Sequence, residues 1–170
     1  MIITVGEPAP DFEQDTANGS LRFHAWLGGA WCVLFSHPRK FSAAFAAELT
    51  AAARLAPEWA RRGVKLVALS PATAEGQLEW LVDLEATRGC MVDFPLVADS
   101  DHAVARLYGL AAAEDPALFV IDPARRIRIA LVDTAGGGRD FEQILHAIDR
   151  LQQVDGPAAP APHIPRPTGR

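Results

Sequence analysis

Cysteine and lysine are scarce in this sequence of 170 residues, and it contains no long apolar run. The only cysteines, Cys32 and Cys90, lack the spacing of metal ligands or of a CxxC redox pair, so we expect free thiols. No apolar run approaches the length that crosses a bilayer, and the first residues lack the basic start and apolar stretch of a signal peptide. These absences predict a cytoplasmic protein without membrane contact.

The basic residues are mostly arginine. Lysine occurs only at Lys40 and Lys65, whereas arginine and alanine are abundant, a composition typical of GC-rich bacterial genomes. The net charge of -5 argues against a nucleic-acid partner. Because most of the histidines fall on different predicted elements, the sequence predicts neither a metal site nor a cofactor; these histidines are His24, His102, His146 and His163.

The length predicts one domain with a core of its own. We expect this domain to occupy residues 1–153. Residues 154–170 form a second segment rich in proline, which cannot continue a helix or a central strand. The sequence therefore predicts a tail that is extended or disordered.

The spacing of apolar residues predicts alternating strands and helices. Residues 31–35 and Val64–Ser70 are apolar runs typical of buried strands, and Asn18-Gly19 is a turn signal between two shorter strands. One long helix is expected over 42–62, with Ser42 as its N-cap. Further expected elements are a helix over Ala74–Arg88, an extended segment over 94–98, a short helix over 103–108, a hairpin of Ala117–Ile121 and Ile127–Val132, and a helix over 141–151. This order predicts an α/β protein with a thioredoxin-like fold, in which helices flank a central mixed β-sheet.

Six short segments, in this order, carry a family resemblance. They are 6–12 (GEPAPDF), 22–28 (RFHAWLG), 34–39 (LFSHPR), 94–99 (FPLVAD), 119–123 (FVIDP) and 138–141 (GRDF). Over residues 5 to 153 the chain resembles the peroxiredoxins, and in particular their one-cysteine subgroup. The resemblance implies a thioredoxin-like fold, and it implies a homodimer formed through edge strands or loop faces.

The chemistry of that family implies a proline, a threonine or serine, and a reactive cysteine at fixed spacing, with an arginine from a later strand. Pro38 keeps the proline and Ser42 stands for the threonine or serine, but Phe45 stands where the peroxidatic cysteine is expected. Pro116 stands for the arginine. A phenyl ring cannot attack a peroxide or pass through a sulfenic acid. We therefore interpret the site as degenerate or repurposed.

The remaining polar residues near this motif each have two interpretations. His37 is a general acid or base, or a loop histidine bonded to backbone; Glu48 is a pocket carboxylate, or a charge that stabilises the helix. Ser42 binds a substrate with its hydroxyl, or only caps the helix. Arg39 and Arg139 bind an anion at the mouth of the pocket, or form a structural salt bridge.

Phe45 also has two interpretations, a plug that fills the vacated pocket or the floor of an apolar binding site. In both, the N–H groups of the first helical turn stay available to an anion or a carbonyl group. Cys32, within a predicted buried strand, is expected to be an inert core thiol. Cys90 follows Gly89 in a loop and is expected to be more exposed.

Three classes of function follow. In the first, the former peroxide pocket binds a small anionic or carbonyl-bearing molecule, with or without non-redox acid–base catalysis by His37 and Glu48. The second is a non-catalytic dimeric partner or scaffold protein. The third is a residual thiol peroxidase, an antioxidant activity through Cys90.

Overall fold

The computed structural model describes residues 2–110, 115–133 and 139–155. Within these ranges the strands are β1 (Glu13–Thr16), β2 (Gly19–Arg22), β3 (Trp31–Ser36), β4 (Val64–Ser70), β5 (Leu96–Ala98), β6 (Ala117–Ile121) and β7 (Ile127–Val132). The helices are α1 (Phe23–Leu27), α2 (Ala43–Arg54), α3 (Ala56–Arg61), α4 (Ala74–Arg88), α5 (Ala103–Leu107) and α6 (Phe141–Val154). The proline-rich part of the predicted tail, residues 156–170, lies outside the described residues.

The strands form one mixed sheet in the order β2-β1-β5-β4-β3-β6-β7. At its centre β3, β4 and β5 run parallel, while β6 pairs antiparallel with β3 and β7 antiparallel with β6. The predicted central mixed sheet and the predicted hairpin of β6 and β7 are therefore confirmed. The turn signal at Asn18-Gly19 is confirmed as well, because β1 and β2 pair antiparallel across it.

The side chains of β3 alternate between two apolar clusters, one on each face of the sheet. Trp31, Val33 and Phe35 point into the first cluster, which α2, α3 and α6 cover. Cys32 and Leu34 point into the second, which includes residues of α1 and α5. The core thus lies on both faces, as expected for parallel strands at the centre of a sheet.

The single helix predicted over 42–62 is wrong in one respect. It divides at Leu55, whose backbone angles (φ -93°, ψ 13°) leave the helical region, and α3 restarts with Pro57 in its first turn. Proline has no N–H to donate, and its ring collides with the carbonyl four residues earlier in a continuous helix. Proline is tolerated in a first turn, so the chain ends one helix and begins another.

Three smaller differences concern one short helix and the ends of two other elements. The short helix α1 was not expected, because five residues are too few for a helical period to be visible in the sequence. The helix α6 continues to Val154, beyond the predicted end at 151 and beyond the predicted domain end at 153. Within the extended segment expected over 94–98, a strand begins only at Leu96, since the preceding Pro95 cannot donate to a ladder.

The carboxyl ends of β3, β4 and β5 meet at one edge of the sheet, at Ser36, Ser70 and Ala98. In open sheets with parallel strands, ligands bind outside such an edge. The loop from β3 to α2, which carries the motif residues, leaves from the same edge.

Candidate functional site

His37 is the first residue after β3, and its imidazole is buried. Its backbone N–H donates to the carbonyl of Leu69 at 3.0 Å, which anchors the loop to β4. Its Nδ1 lies 3.2 Å from the backbone N of Arg39 and 3.1 Å from the carbonyl O of the same residue, so either tautomer is satisfied there. Nε2 forms no hydrogen bond with any described residue. Burial lowers the pKa of His37, which is therefore neutral at pH 7.

Ser42 acts as the N-cap of α2, as the sequence predicts. Its hydroxyl accepts the N–H of Phe45 at 3.1 Å, and its carbonyl accepts the N–H of Ala46 at 3.0 Å. These bonds use two of the N–H groups that the sequence left available to a ligand. In the structure, Ser42 therefore serves as the cap of α2.

Phe45 is fully buried in the first turn of α2. Its ring stacks on His37 at a centroid distance of 5.2 Å and on Trp80 of α4 at 5.7 Å, and it meets Phe35 edge-on at 6.5 Å. We call His37, Phe45 and Trp80 the aromatic stack. The ring has no exposed surface and does not belong to the lining of a described cavity, which favours the interpretation as a plug.

Phe41 closes the outer end of the aromatic stack. Its ring lies 5.6 Å from that of Trp80, and it is 41% exposed. The ring also lies over Gly76, where a Cβ atom would approach it to 3.0 Å. Glycine at position 76 therefore lets Phe41 pack closely against α4.

Arg139 and Glu48 form an ion pair with each other. The Nη2 atom of Arg139 donates to the Oε2 atom of Glu48 and, at 2.9 Å, to the carbonyl of Ser36; Nη1 donates to the carbonyl of Ala117. Only 6% of the Arg139 side chain and 8% of the Glu48 side chain are exposed. The pair joins α2, β3, β6 and the start of α6. The structure thus contains the salt bridge. Arg139 also lines an open groove together with Arg54 and Phe141, and Glu48 is not among the lining residues of that groove.

A cavity of about 80 Å³ opens at the carboxyl ends of the parallel strands. We call it the His37 cavity. Ser36, His37, Pro38, Leu69, Ser70, Pro71, Asp99, His102, Ala105, Leu110 and Asp115 line it. Of the predicted site residues, only His37 and Pro38 belong to this lining. Arg39 lies outside it, on the surface.

Three titratable lining residues were not predicted as site residues: Asp99, His102 and Asp115. Asp99 follows β5 directly, and its carboxylate accepts the N–H groups of Val104 and Ala105, both at 2.9 Å. The position of Asp99 just after a parallel strand is a signal that could have identified it. His102 and Asp115 come from other segments and carry no comparable signal.

The charge of the His37 cavity is negative. Among the described lining residues, Asp99 and Asp115 carry carboxylates, none is an arginine or a lysine, and His37 is neutral. This balance does not favour the binding of an anion.

Pro116 lies at the same edge of the sheet. It directly precedes β6, whose residue Ala117 pairs with Ser36, and its carbonyl accepts the N–H of Asp133 at 2.9 Å. A proline side chain offers no hydrogen-bond donor and no charge.

The two cysteines lie on opposite faces of the sheet. Cys32 is fully buried in the second apolar cluster, and this burial raises the pKa of its thiol far above the ordinary value. Cys90 is half-buried and packs against the first cluster, with Sγ 3.9 Å from the carbonyl O of Met91. The sheet separates the two thiols, and both are free.

Among the described residues, no group of three or more His, Cys, Asp or Glu side chains is arranged to hold a metal ion. None of the described helices combines the length and the apolar character that a bilayer span requires.

Comparison with known proteins identifies relatives along most of the chain. The model of the AhpC/TSA family matches residues 5–130. The chain is 37% identical over 167 residues to the peroxiredoxin-6 of Rattus norvegicus, with 88% of this chain and 73% of the relative covered. It is 33% identical over 159 residues to the 1-Cys peroxiredoxin of Dictyostelium discoideum, with coverages of 90% and 66%.

Two solved structures are similar at comparable identity. The yeast mitochondrial 1-Cys peroxiredoxin superimposes with a TM-score of 0.86 at 34% identity, covering 91% of this chain and 78% of that one. A cysteine-to-serine mutant of the peroxiredoxin 6 of Arenicola marina gives a TM-score of 0.82 at 34% identity, with coverages of 94% and 80%. These similarities confirm the predicted thioredoxin-like fold.

Proposed function

The chain belongs to the AhpC/TSA family, the family of the peroxiredoxins, and we propose that it is not itself a thiol peroxidase but binds a small carbonyl-bearing molecule in the His37 cavity. The observation that carries the proposal is the burial of Phe45. The family resemblance aligns this residue with the peroxidatic cysteine, and here an apolar ring stacked between His37 and Trp80 occupies that place.

Neither cysteine is well placed to supply the missing thiolate. A reactive thiolate needs access to the substrate and a positive environment, such as a helix N-terminus or a nearby cation. Cys32 is fully buried, and Cys90 follows the C-terminal end of α4, where the helix dipole is negative. Residual peroxidase activity through Cys90 is therefore the weakest of the three functions.

The lining of the His37 cavity favours an uncharged carbonyl compound over an anion. Nε2 of His37 has no hydrogen-bond partner among the described residues. With Nδ1 accepting from the N–H of Arg39, Nε2 carries the proton and donates to a carbonyl oxygen. An anionic ligand would meet the carboxylates of Asp99 and Asp115, and Arg139 is already engaged by Glu48. If the site is catalytic, neutral His37 is its acid–base group, and Glu48 holds Arg139 in place.

The homodimer implied by the resemblance is part of the proposal. β7 is an edge strand of the sheet and carries Leu131, whose side chain is 47% exposed. Residues Gly6 and Glu7 hydrogen-bond to Ile127 at the start of this edge, and the later part of β7 would offer its backbone groups to a second copy. A scaffold function would rest on this dimer alone and would leave the His37 cavity without a ligand.

A peroxide assay tests the first half of the proposal. Peroxide consumption with dithiothreitol is measured for the natural chain, for Phe45→Cys and for Cys90→Ser. We expect no consumption above the buffer rate by the natural chain. Consumption at a rate typical of peroxiredoxins, abolished by Cys90→Ser, would refute the proposal in favour of the residual peroxidase.

A thermal-shift screen tests the second half. Small aldehydes, ketones and amides are compared with carboxylates of the same size, on the natural chain and on His37→Phe, which keeps a ring in the aromatic stack but removes both nitrogens. A ligand at 10 times its Kd adds about 1.4 kcal/mol, hence about 3–6 °C in Tm for a domain of this length. We expect this shift with carbonyl compounds and its loss in His37→Phe. Equal shifts with carboxylates, or none with any compound, would contradict the ligand class.

A further inference from the structure

A second cavity, of about 180 Å³, lies at the C-terminal end of α2 and shares no lining residue with the His37 cavity. The end of α2, the helix α3, the strand β4 and the segment before β5 line it. We call it the α3 cavity. Its lining includes Ala52, Ala56, Ala60, Trp59, Leu66 and Asp93.

The α3 cavity exists because of how the helices break. At Leu55 the chain changes direction from α2 to α3, and the residues of both helices that face β4 are mainly alanines. A methyl side chain does not reach the strand, so the space above Leu66 stays open. Ala60 and Asp93 are exposed, so this space is a cleft that opens to solvent and that the small side chains leave unfilled.

The walls of the α3 cavity are almost entirely apolar. The indole N–H of Trp59 donates to the carbonyl of Ala52 at 3.0 Å, so the one polar atom of this side chain is already satisfied. A dry apolar cavity of about 150 Å³ is large enough to bind benzene. The α3 cavity therefore has the size and the surface for one small ring or a short branched alkyl group.

Asp93 is the one charged residue among the lining residues. It is exposed at the rim and forms no hydrogen bond or ion pair with any residue in the described ranges. None of its lining residues in the described part of the chain is basic. A ligand that fills the apolar space and carries a cationic amine would complement this carboxylate, whereas an anionic ligand would be repelled by it.

We propose that the α3 cavity binds a small aromatic or branched aliphatic amine, with the hydrocarbon part over Leu66 and Trp59 and the ammonium group at Asp93. This site is independent of the His37 cavity and of the proposed function. It depends on two separate observations, the open apolar volume and the unpaired carboxylate at its rim.

Calorimetric titration of the full chain with three probes of one size tests this proposal. The probes are benzylammonium, neutral benzyl alcohol and anionic benzoate. We expect benzylammonium to bind most tightly and benzoate not to bind. For Asp93→Asn, we expect benzylammonium to bind about two- to five-fold more weakly, the range of an exposed ion pair, and benzyl alcohol to be unaffected. Asp83→Asn is the matched control, because Asp83 is an exposed carboxylate of α4 outside the cavity lining.

Ala60→Leu tests the location. Ala60 is exposed on α3, so leucine is compatible with the helix while its side chain fills part of the cavity. We expect binding of benzylammonium and benzyl alcohol to fall at least ten-fold with an unchanged far-UV circular dichroism spectrum. Absence of binding by every probe at millimolar concentration, equal binding of benzoate, or full binding to Ala60→Leu would overturn the proposal. If Ala60→Leu does not fold, the comparison of Asp93→Asn with Asp83→Asn decides alone, and equal affinities in that pair overturn it.

Discussion

Replacing Phe45 by alanine removes the ring at the centre of the aromatic stack and leaves a void beside His37. The ring is fully buried, and a buried phenyl group withdraws about 150–250 Å² from water. At about 25 cal/mol per Å² this corresponds to about 4–6 kcal/mol as an upper value. Buried Phe→Ala substitutions cost about 3–5 kcal/mol. We therefore expect a loss of about 4 kcal/mol in the free energy of unfolding.

The assay for Phe45→Ala is urea denaturation together with a thermal scan. In a domain of this length 1 kcal/mol corresponds to about 2–4 °C, so Tm should fall by about 8–16 °C. Phe41→Ala is the matched control, because Phe41 touches the same Trp80 but is 41% exposed. We expect its cost to be below about half that of Phe45→Ala.

The refuting result for Phe45 is a small cost. If Phe45→Ala loses less than about 1 kcal/mol, the ring does not fill the core and the interpretation as a plug fails. A second readout is the NMR titration of His37, whose pKa is lowered first of all by burial. Loss of the covering ring should raise this pKa toward its ordinary value of about 6.5. An unchanged titration would show that Phe45 does not shield the imidazole.

Three further predictions concern the ion pair, the pH dependence and the helix break. Glu48→Gln should lose about 3–5 kcal/mol in the free energy of unfolding, measured by urea denaturation, because it leaves Arg139 buried without its counter-charge. The double substitution Glu48→Met with Arg139→Met should lose much less. Equal losses would mean that the pair is not coupled. The pKa of His37 is lower in the folded than in the unfolded chain, so the unfolded chain binds more protons just below pH 6.5. The contribution of His37 to the free energy of unfolding should therefore be constant above that pH and decrease as pH falls through it. Denaturation at pH 5 to 8 should give a flatter profile for His37→Phe. Pro57→Ala should raise helicity in circular dichroism by joining α2 to α3, and an unchanged spectrum would mean that Leu55, rather than Pro57, ends α2.

The elements with strong local signals could be predicted from the sequence. The apolar runs of β3 and β4 and the cap at Ser42 follow from side-chain chemistry within a few residues. The break at Leu55 was missed although Pro57 signals it, because the apolar period continues through both helices. The helix α1 was missed because it is one turn and a half long.

The candidate site was only partly predictable. His37 and Pro38 lie within the recognisable motif over residues 34–39, so the family resemblance located them. Glu48 and Arg139 were both named but not as partners, since 91 positions separate them and nothing local indicates the contact. The carboxylate of Asp115 joins the His37 cavity through the packing of distant segments. Sequence patterns indicate helix and strand periods and helix caps, but they do not indicate which distant side chains come into contact.

The aromatic stack gives the protein a built-in optical reporter. Trp80 lies two rings from His37, with only Phe45 between them. We expect a ligand that moves or protonates the imidazole to change the surroundings of Phe45, and through it the emission of the indole. Occupancy of a cavity at the edge of the sheet can thus be followed by tryptophan fluorescence, with Trp80→Phe identifying the signal, and no label needs to be attached.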